Sequence, residues 1–316
     1  MFFKLFIQIF GIFFIILLGV FARRLNILDS HSTSQASKIV VNFFYPSLIL
    51  SSLLKNFSLD KLLKNFTLPA GTFLIMLTGY LTGLILKNFI SFSSKEEENV
   101  FHFQSTINNY SFLPMPIVLM CWGEKGLSKL LFSTLGSEIS MWSIGILALT
   151  GNKLTKRNFK NLITPPLLSI IFSILIITLR DSLKIHFPDT FSEIGKTFIS
   201  IFDIVGKGTI PLALFVAGSK MAELRIKNIF SLKQLYLLII RLILVPYLSI
   251  LLISHLPFNI SIKKILFVVC VMPCAVTSII LSEVYKEDVE FAASSVLITH
   301  IFSLFTIPLW FSILFK

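Results

Sequence analysis

Apolar runs of about twenty residues, each closed by a short polar stretch carrying lysine or arginine, recur along this chain. They fall at 2–22, 38–54, 67–87, 103–122, 130–150, 163–180, 197–218, 234–254, 264–283 and 291–315. A helix needs about 20 mostly apolar residues to cross the hydrocarbon core, with its backbone hydrogen bonds closed inside the segment. Ten such runs predict an all-α polytopic membrane protein with ten transmembrane helices. Composition agrees: 55% of the 316 residues are hydrophobic and 14% are charged, against about 25% charged in an ordinary soluble domain. The connections are too short for a nucleotide-binding or catalytic domain. The first run is long and is followed by Arg23-Arg24 rather than by a small-residue cleavage site, so it reads as an anchor and not a signal peptide.

The formal net charge is +12. In a soluble protein this excess would point to nucleic acid; here the basic residues lie in loops on both faces and set topology, so no nucleic-acid partner is expected. The densest basic loops, 153–160 and 220–233, fall on the cytoplasmic side if both termini lie outside. That is the expected orientation, in the plasma membrane. Cys121, Cys270 and Cys274 form no CxxC pair and read as packing residues.

The prolines carry a repeat. Pro46 and Pro211 lie in the second and seventh runs, and Pro116 and Pro273 in the fourth and ninth, each pair separated by close to half the chain. Two five-helix repeats, 1–158 and 159–316, would give this spacing, and an odd number of spans per repeat inverts the second half relative to the first. Proline removes a backbone donor and clashes with the preceding turn, so the string Asn108 to Pro116 cannot be one continuous helix. The ninth run places Pro273 at mid-depth, with Thr277 and Ser278 close after it. Broken backbone survives in hydrocarbon only where protein or a water-filled cavity satisfies it. Two facing breaks would bring half-helix N-termini, with their partial positive charge, to the bilayer midplane. Such a site suits an anion, and the amide of Asn109 can both donate and accept there.

Four ordered motifs carry a family resemblance across essentially the whole chain. They are Asn109 to Pro116 followed by Gly123-Glu124, Ile210 to Gly218, Met272 to Val276 with Ser282 to Tyr285, and Phe291 to Val296 with Ser303 and Pro308. Together they resemble the auxin efflux carrier family. The resemblance implies two inverted five-helix repeats, with a scaffold of helices 1, 2, 6 and 7. Helices 3–5 and 8–10 would form a transport unit, with helices 4 and 9 broken where they cross. It also implies a homodimer, and substrates such as auxin, malate or malonate; bile-acid and sodium symporters share the fold. Asn109 matches the family's crossover asparagine, and Pro116 and Pro273 match its crossover prolines. The chain departs from the family at Thr277, where asparagine is common, and at Pro114, where glycine is common.

Ionisable residues within spans are functional candidates because burying a charge is costly. Glu138 in the fifth run and His300 in the tenth occupy equivalent places in the two halves, where either could carry a proton or complete a cation site. The alternative is a protonated, hydrogen-bonded Glu138 and a packing His300. Asp203 and Lys207 are spaced to pair along one helix face; Lys207 could instead draw an anion to the scaffold side of the pocket. Arg241, about two turns inside the eighth run, is expected to snorkel to the inner surface.

The expected function is a secondary transporter of small organic anions, moving them by elevator-type alternating access, with H+ or Na+ as the coupling ion and no cofactor or metal. The alternatives are a cation-coupled uptake carrier like the bile-acid symporters, or a passive channel or sensor. An intramembrane enzyme is disfavoured because no GxxxxGK[ST], HExxH or GxSxG motif occurs.

Overall fold

Helix satisfies its backbone locally in hydrocarbon, and the described residues of the computed structural model are nearly all helical, with no strand. The structure describes residues 2–151, 163–182, 189–222 and 231–315. The helices are α1 (Phe2–Arg24), α2 (Ser30–Asn56), α3 (Leu59–Phe89), α4 (Lys95–Thr106), α5 (Pro114–Leu149), α6 (Pro165–Ser182) and α7 (Asp189–Lys207). They continue as α8 (Thr209–Ala222), α9 (Leu232–His255), α10 (Ile260–Cys270), α11 (Thr277–Tyr285) and α12 (Val289–Leu314). Among the described residues, seven segments are long and apolar enough to cross a membrane: α2, α3, α5, α6, the stretch Glu193–Ala222, α9 and α12. The basic loop 153–160, and 223–230 of the second basic loop, lie outside the described residues.

Among the described residues, the short helices α4, α10 and α11 cannot cross. They have 12, 11 and 9 residues, which at about 1.5 Å per residue is roughly half the hydrocarbon thickness. Their ends follow from local chemistry. Ser94 caps α4 by accepting from Glu97 N at 3.1 Å, ahead of Glu96, Glu97 and Glu98, whose charge suits a helix N-terminus. Asn259 caps α10 by accepting from Ile262 N at 3.0 Å. α5 begins at Pro114, where proline loses no helical bond.

Two turns shape the site. Gly123 has φ 62° and ψ −161°, a conformation essentially restricted to glycine. It redirects the chain, so that 114–122 completes the fourth apolar run and the rest of α5 forms the fifth. At Pro46 the helix continues. A wide π turn, Val40–Phe44, precedes it, and Tyr45 N–H bonds Val40 O. The wide turn absorbs the missing proline donor, and α2 runs on. α9 does the same at Ile240–Leu244, ahead of Pro246.

Between helices in a membrane, van der Waals packing and small residues carry the association. A Cβ on Gly19 of α1 would collide with Phe215 O of α8, and one on Gly218 with Ile16 O, so α1 and α8 lie backbone to backbone. Thr33 Oγ1 and Ser219 Oγ meet at 2.7 Å, joining α2 to α8. α3 packs on α5, where Thr72 Oγ1 donates to Ser133 O at 2.7 Å. Gly79 of α3 lies against the Ser105 carbonyl near the end of α4. Trp310 Nε1 donates to Leu242 O at 2.9 Å, tying α12 to α9. Phe101, Phe103, Ile107, Leu266 and Met272 are fully buried around the breaks, whereas Phe14, Phe43, Phe172 and Phe305 face outward, where lipid would cover them.

Candidate functional site

The chain between α4 and α5 and the chain between α10 and α11 are extended and lie antiparallel to each other. Asn108 pairs with Cys274 as an isolated β-bridge. Asn109 N–H donates to Pro273 O at 2.8 Å, and Ala275 N–H to Ile107 O at 3.4 Å. Asn108 Nδ2 donates to Val269 O. The two breaks thus satisfy each other, which answers the demand that no backbone polar group be left bare in hydrocarbon. Ser278 Oγ accepts from Gln104 Nε2 at 2.8 Å, and the same Nε2 donates to Ala292 O, binding α11 and α12 to α4.

Each half-helix pair has two kinds of end at this crossing. The C-terminal ends of α4 and α10 meet at Arg241, which corrects the snorkelling expectation. Arg241 is fully buried and donates to Ser105 O at 3.0 Å, Met272 O at 3.3 Å and Cys270 O at 3.4 Å. Its depth explains the outcome. Arg241 is nine residues beyond the start of α9 at Leu232, about 14 Å along the axis, and the carbonyls at the ends of two broken helices lie within its hydrogen-bonding reach.

The N-terminal end of α11 and the segment 108–112 that leads into α5 border a cavity of about 320 Å³. Asn109, Tyr110 and Ser111 line it from the first break, Thr277 from the start of α11, and Ala213 and Val216 from α8. Lys38 of α2, Lys220 of α8 and Glu283 of α11 also border it. The lining is apolar with a few converging polar groups, the usual make-up of a small-molecule site.

The candidate residues divide around this cavity. Asn109 and Thr277 line it. Pro116 lies in the first turn of α5; Pro273 is buried and supplies the carbonyl that holds Asn109 N–H. Ser278 is turned away to Gln104. His300 borders the site from behind: its Nδ1 lies 2.8 Å from Val296 O, and its Nε2 lies 3.2 Å from Asn109 Nδ2. The carbonyl can only accept, so Nδ1 carries the proton and Nε2 accepts from the amide. Asn109 Oδ1 in turn accepts from Leu113 N at 3.4 Å. Glu138 reaches the next residue along, with Tyr110 Oη donating to its Oε1 at 3.0 Å and Thr164 Oγ1 to its Oε2 at 3.3 Å.

Asp203 and Lys207 lie elsewhere. Asp203 bridges Lys207 at 3.0 Å and Lys55 at 2.9 Å. The three residues line a separate cavity of about 140 Å³ with Glu124. Arg241, Gln104 and Tyr110 are the site residues that sequence reasoning missed. Arg241 carried a readable signal in its depth; the other two are common polar residues of a broken segment.

A profile of a family described as membrane transport proteins matches residues 4–158 and 149–311. The chain belongs to this family, of the auxin efflux carrier and malate–malonate permease type. Relatives include an uncharacterized transporter of Methanocaldococcus jannaschii, 26% identical over 303 residues and 94% of each chain. A second, from Methanothermobacter thermautotrophicus, is 21% identical over 304 residues, again 94% of each chain.

Proposed function

We propose that this membrane transport protein is a secondary transporter of small organic anions, of the mono- or dicarboxylate kind, held at the crossover beside Asn109 and Thr277. The observation that carries the reading is the cavity beside the paired breaks, bordered by the N-terminal end of α11 and by Asn109, with Lys38, Lys220 and Glu283 at its edge. Anions are stabilised at a helix N-terminus by its partial positive charge. Asn109 keeps one amide hydrogen beyond its bond to His300, enough to hold a carboxylate oxygen.

The mechanism is elevator-type alternating access on ten spans in two inverted repeats, 1–158 and 159–316. Helices 1, 2, 6 and 7 of that count (α1, α2, α6 and α7–α8) form the fixed scaffold. The remaining helices carry the crossover past it. The close packing of α1 on α8, and of α3 on α4 and α5, supports this division. Lys207 and Asp203 are the proposed scaffold-side contacts for an arriving anion, at the second cavity, where Lys207 and Lys55 stand with Asp203 and Glu124. Coupling runs through a proton or sodium ion, with Glu138 and His300 as the proton candidates, since they buttress neighbouring residues of one break. The protein works in the plasma membrane as a homodimer, with both termini outside.

A thermal-shift screen of the purified protein against mono- and dicarboxylates tests the binding step. At least one should raise the melting temperature of the wild type and not of Asn109→Ala. Stabilisation that survives in Asn109→Ala would move the site away from the crossover.

A further inference from the structure

The C-terminal ends of α4 and α10 converge within the protein. Each helix end concentrates about half a negative charge and exposes carbonyls that lack a helical partner. In transporters with broken helices, such ends coordinate a sodium ion or proton. Here the carbonyls of Ser105, Cys270 and Met272 all accept from one guanidinium, at 3.0, 3.4 and 3.3 Å. Arg241 is 0% exposed, and among the described residues no carboxylate lies within ion-pair distance of it. Its counter-charge is therefore the pair of helix ends. A guanidinium stays protonated in proteins and is more weakly hydrated than an ammonium group, which suits a charge held in the interior. Arg241 also sits within the π turn Ile240–Leu244, a distortion often found at functional positions.

We propose that Arg241 is the resident cation of the crossover. It takes the place of a sodium or potassium ion between the C-terminal ends of the two half-helices, so assembly of the crossover and anion binding require neither ion. Arg241 touches no substrate; it is a positioning residue. The anion-binding part rests on the proposed function, while the assembly part does not. Any ion coupling then falls to groups outside this carbonyl cluster and runs through a proton rather than sodium.

The test is the melting temperature of the full-length protein, purified in detergent, in choline, sodium, potassium and lithium chloride at equal ionic strength. The wild type should melt at one temperature in all four. Arg241→Lys keeps the charge but loses the fork of donors; it should melt lower and remain indifferent to the salt. Arg241→Ala should fall by more than the roughly 4 °C that one ordinary interaction moves, and should regain at least half of that loss, saturably, when sodium or low free guanidinium is added. Three results would overturn the assignment: a wild type stabilised by sodium or potassium, a Lys variant that acquires sodium dependence, or a folded Ala variant indifferent to both sodium and guanidinium. If the Ala variant does not fold, the first two results decide. Failure of the wild type to move any carboxylate would sink the transport reading and leave this melting pattern standing.

Discussion

His300 and Asn109 meet behind the cavity, with the imidazole Nε2 3.2 Å from the amide nitrogen. The imidazole is itself fixed by its Nδ1 bond to Val296 O at 2.8 Å. A side chain of α12 thereby sets the orientation of the amide that lines the cavity. A fixed amide presents its remaining donor in one direction, which lowers the cost of ordering it when ligand binds.

Replacing His300 by Leu removes the acceptor and frees the amide. Loss of one hydrogen bond is worth about 1 kcal/mol, so the substrate concentration giving half-maximal flux should rise by roughly 5- to 10-fold. An unchanged value in flux assays would separate His300 from the site.

Replacing Asn109 by Ala removes the donor facing the cavity and the acceptor for Leu113 N. Transport should be abolished, while stability falls by only about 1–2 kcal/mol, the cost of a lost cap and hydrogen bond. Denaturant melts run beside flux assays separate these two effects; wild-type flux would remove Asn109 from the mechanism.

Glu138→Gln keeps an acceptor for Tyr110 Oη and an amide for Thr164 Oγ1, so the protein should fold normally. The substitution deletes the one proton a carboxyl can exchange. Flux measured against pH should lose its dependence on the proton gradient. A variant whose pH profile matches the wild type would take Glu138 out of coupling.

Gly218→Val drives a side chain into the Ile16 carbonyl. Overpacking of this kind costs about 1–3 kcal/mol, and the melting temperature should fall accordingly. Stability equal to the wild type would show that α1 and α8 can part at little cost.

The helical, multi-span character of the chain and the fourth-run break were readable because hydrocarbon imposes a length on apolar runs and proline forbids a continuous helix. Other features were not. Thr277 and Ser278 look equivalent in sequence, yet neighbours on a helix point about 100° apart, so Thr277 borders the cavity and Ser278 binds Gln104. The π turn before Pro46 leaves no mark in composition. Arg241 was given the fate of most membrane arginines, snorkelling, because the carbonyls awaiting it come from helices distant in sequence.

Lys38 and Lys55 stand about 25 Å apart along α2 at ~1.5 Å per residue, one beside each cavity. Cysteines introduced at these positions should react with a membrane-impermeant reagent from opposite faces, Lys38→Cys from the cytoplasm. Labelling of Lys38→Cys from outside would invert the orientation.

Counterflow in proteoliposomes tests the central claim most directly. Vesicles containing the purified protein and loaded with unlabelled carboxylate should transiently accumulate the labelled compound above its equilibrium level, saturably and with Asn109→Ala inactive. Flux that rises linearly with concentration, shows no counterflow and persists in Asn109→Ala would contradict a carrier working at this crossover.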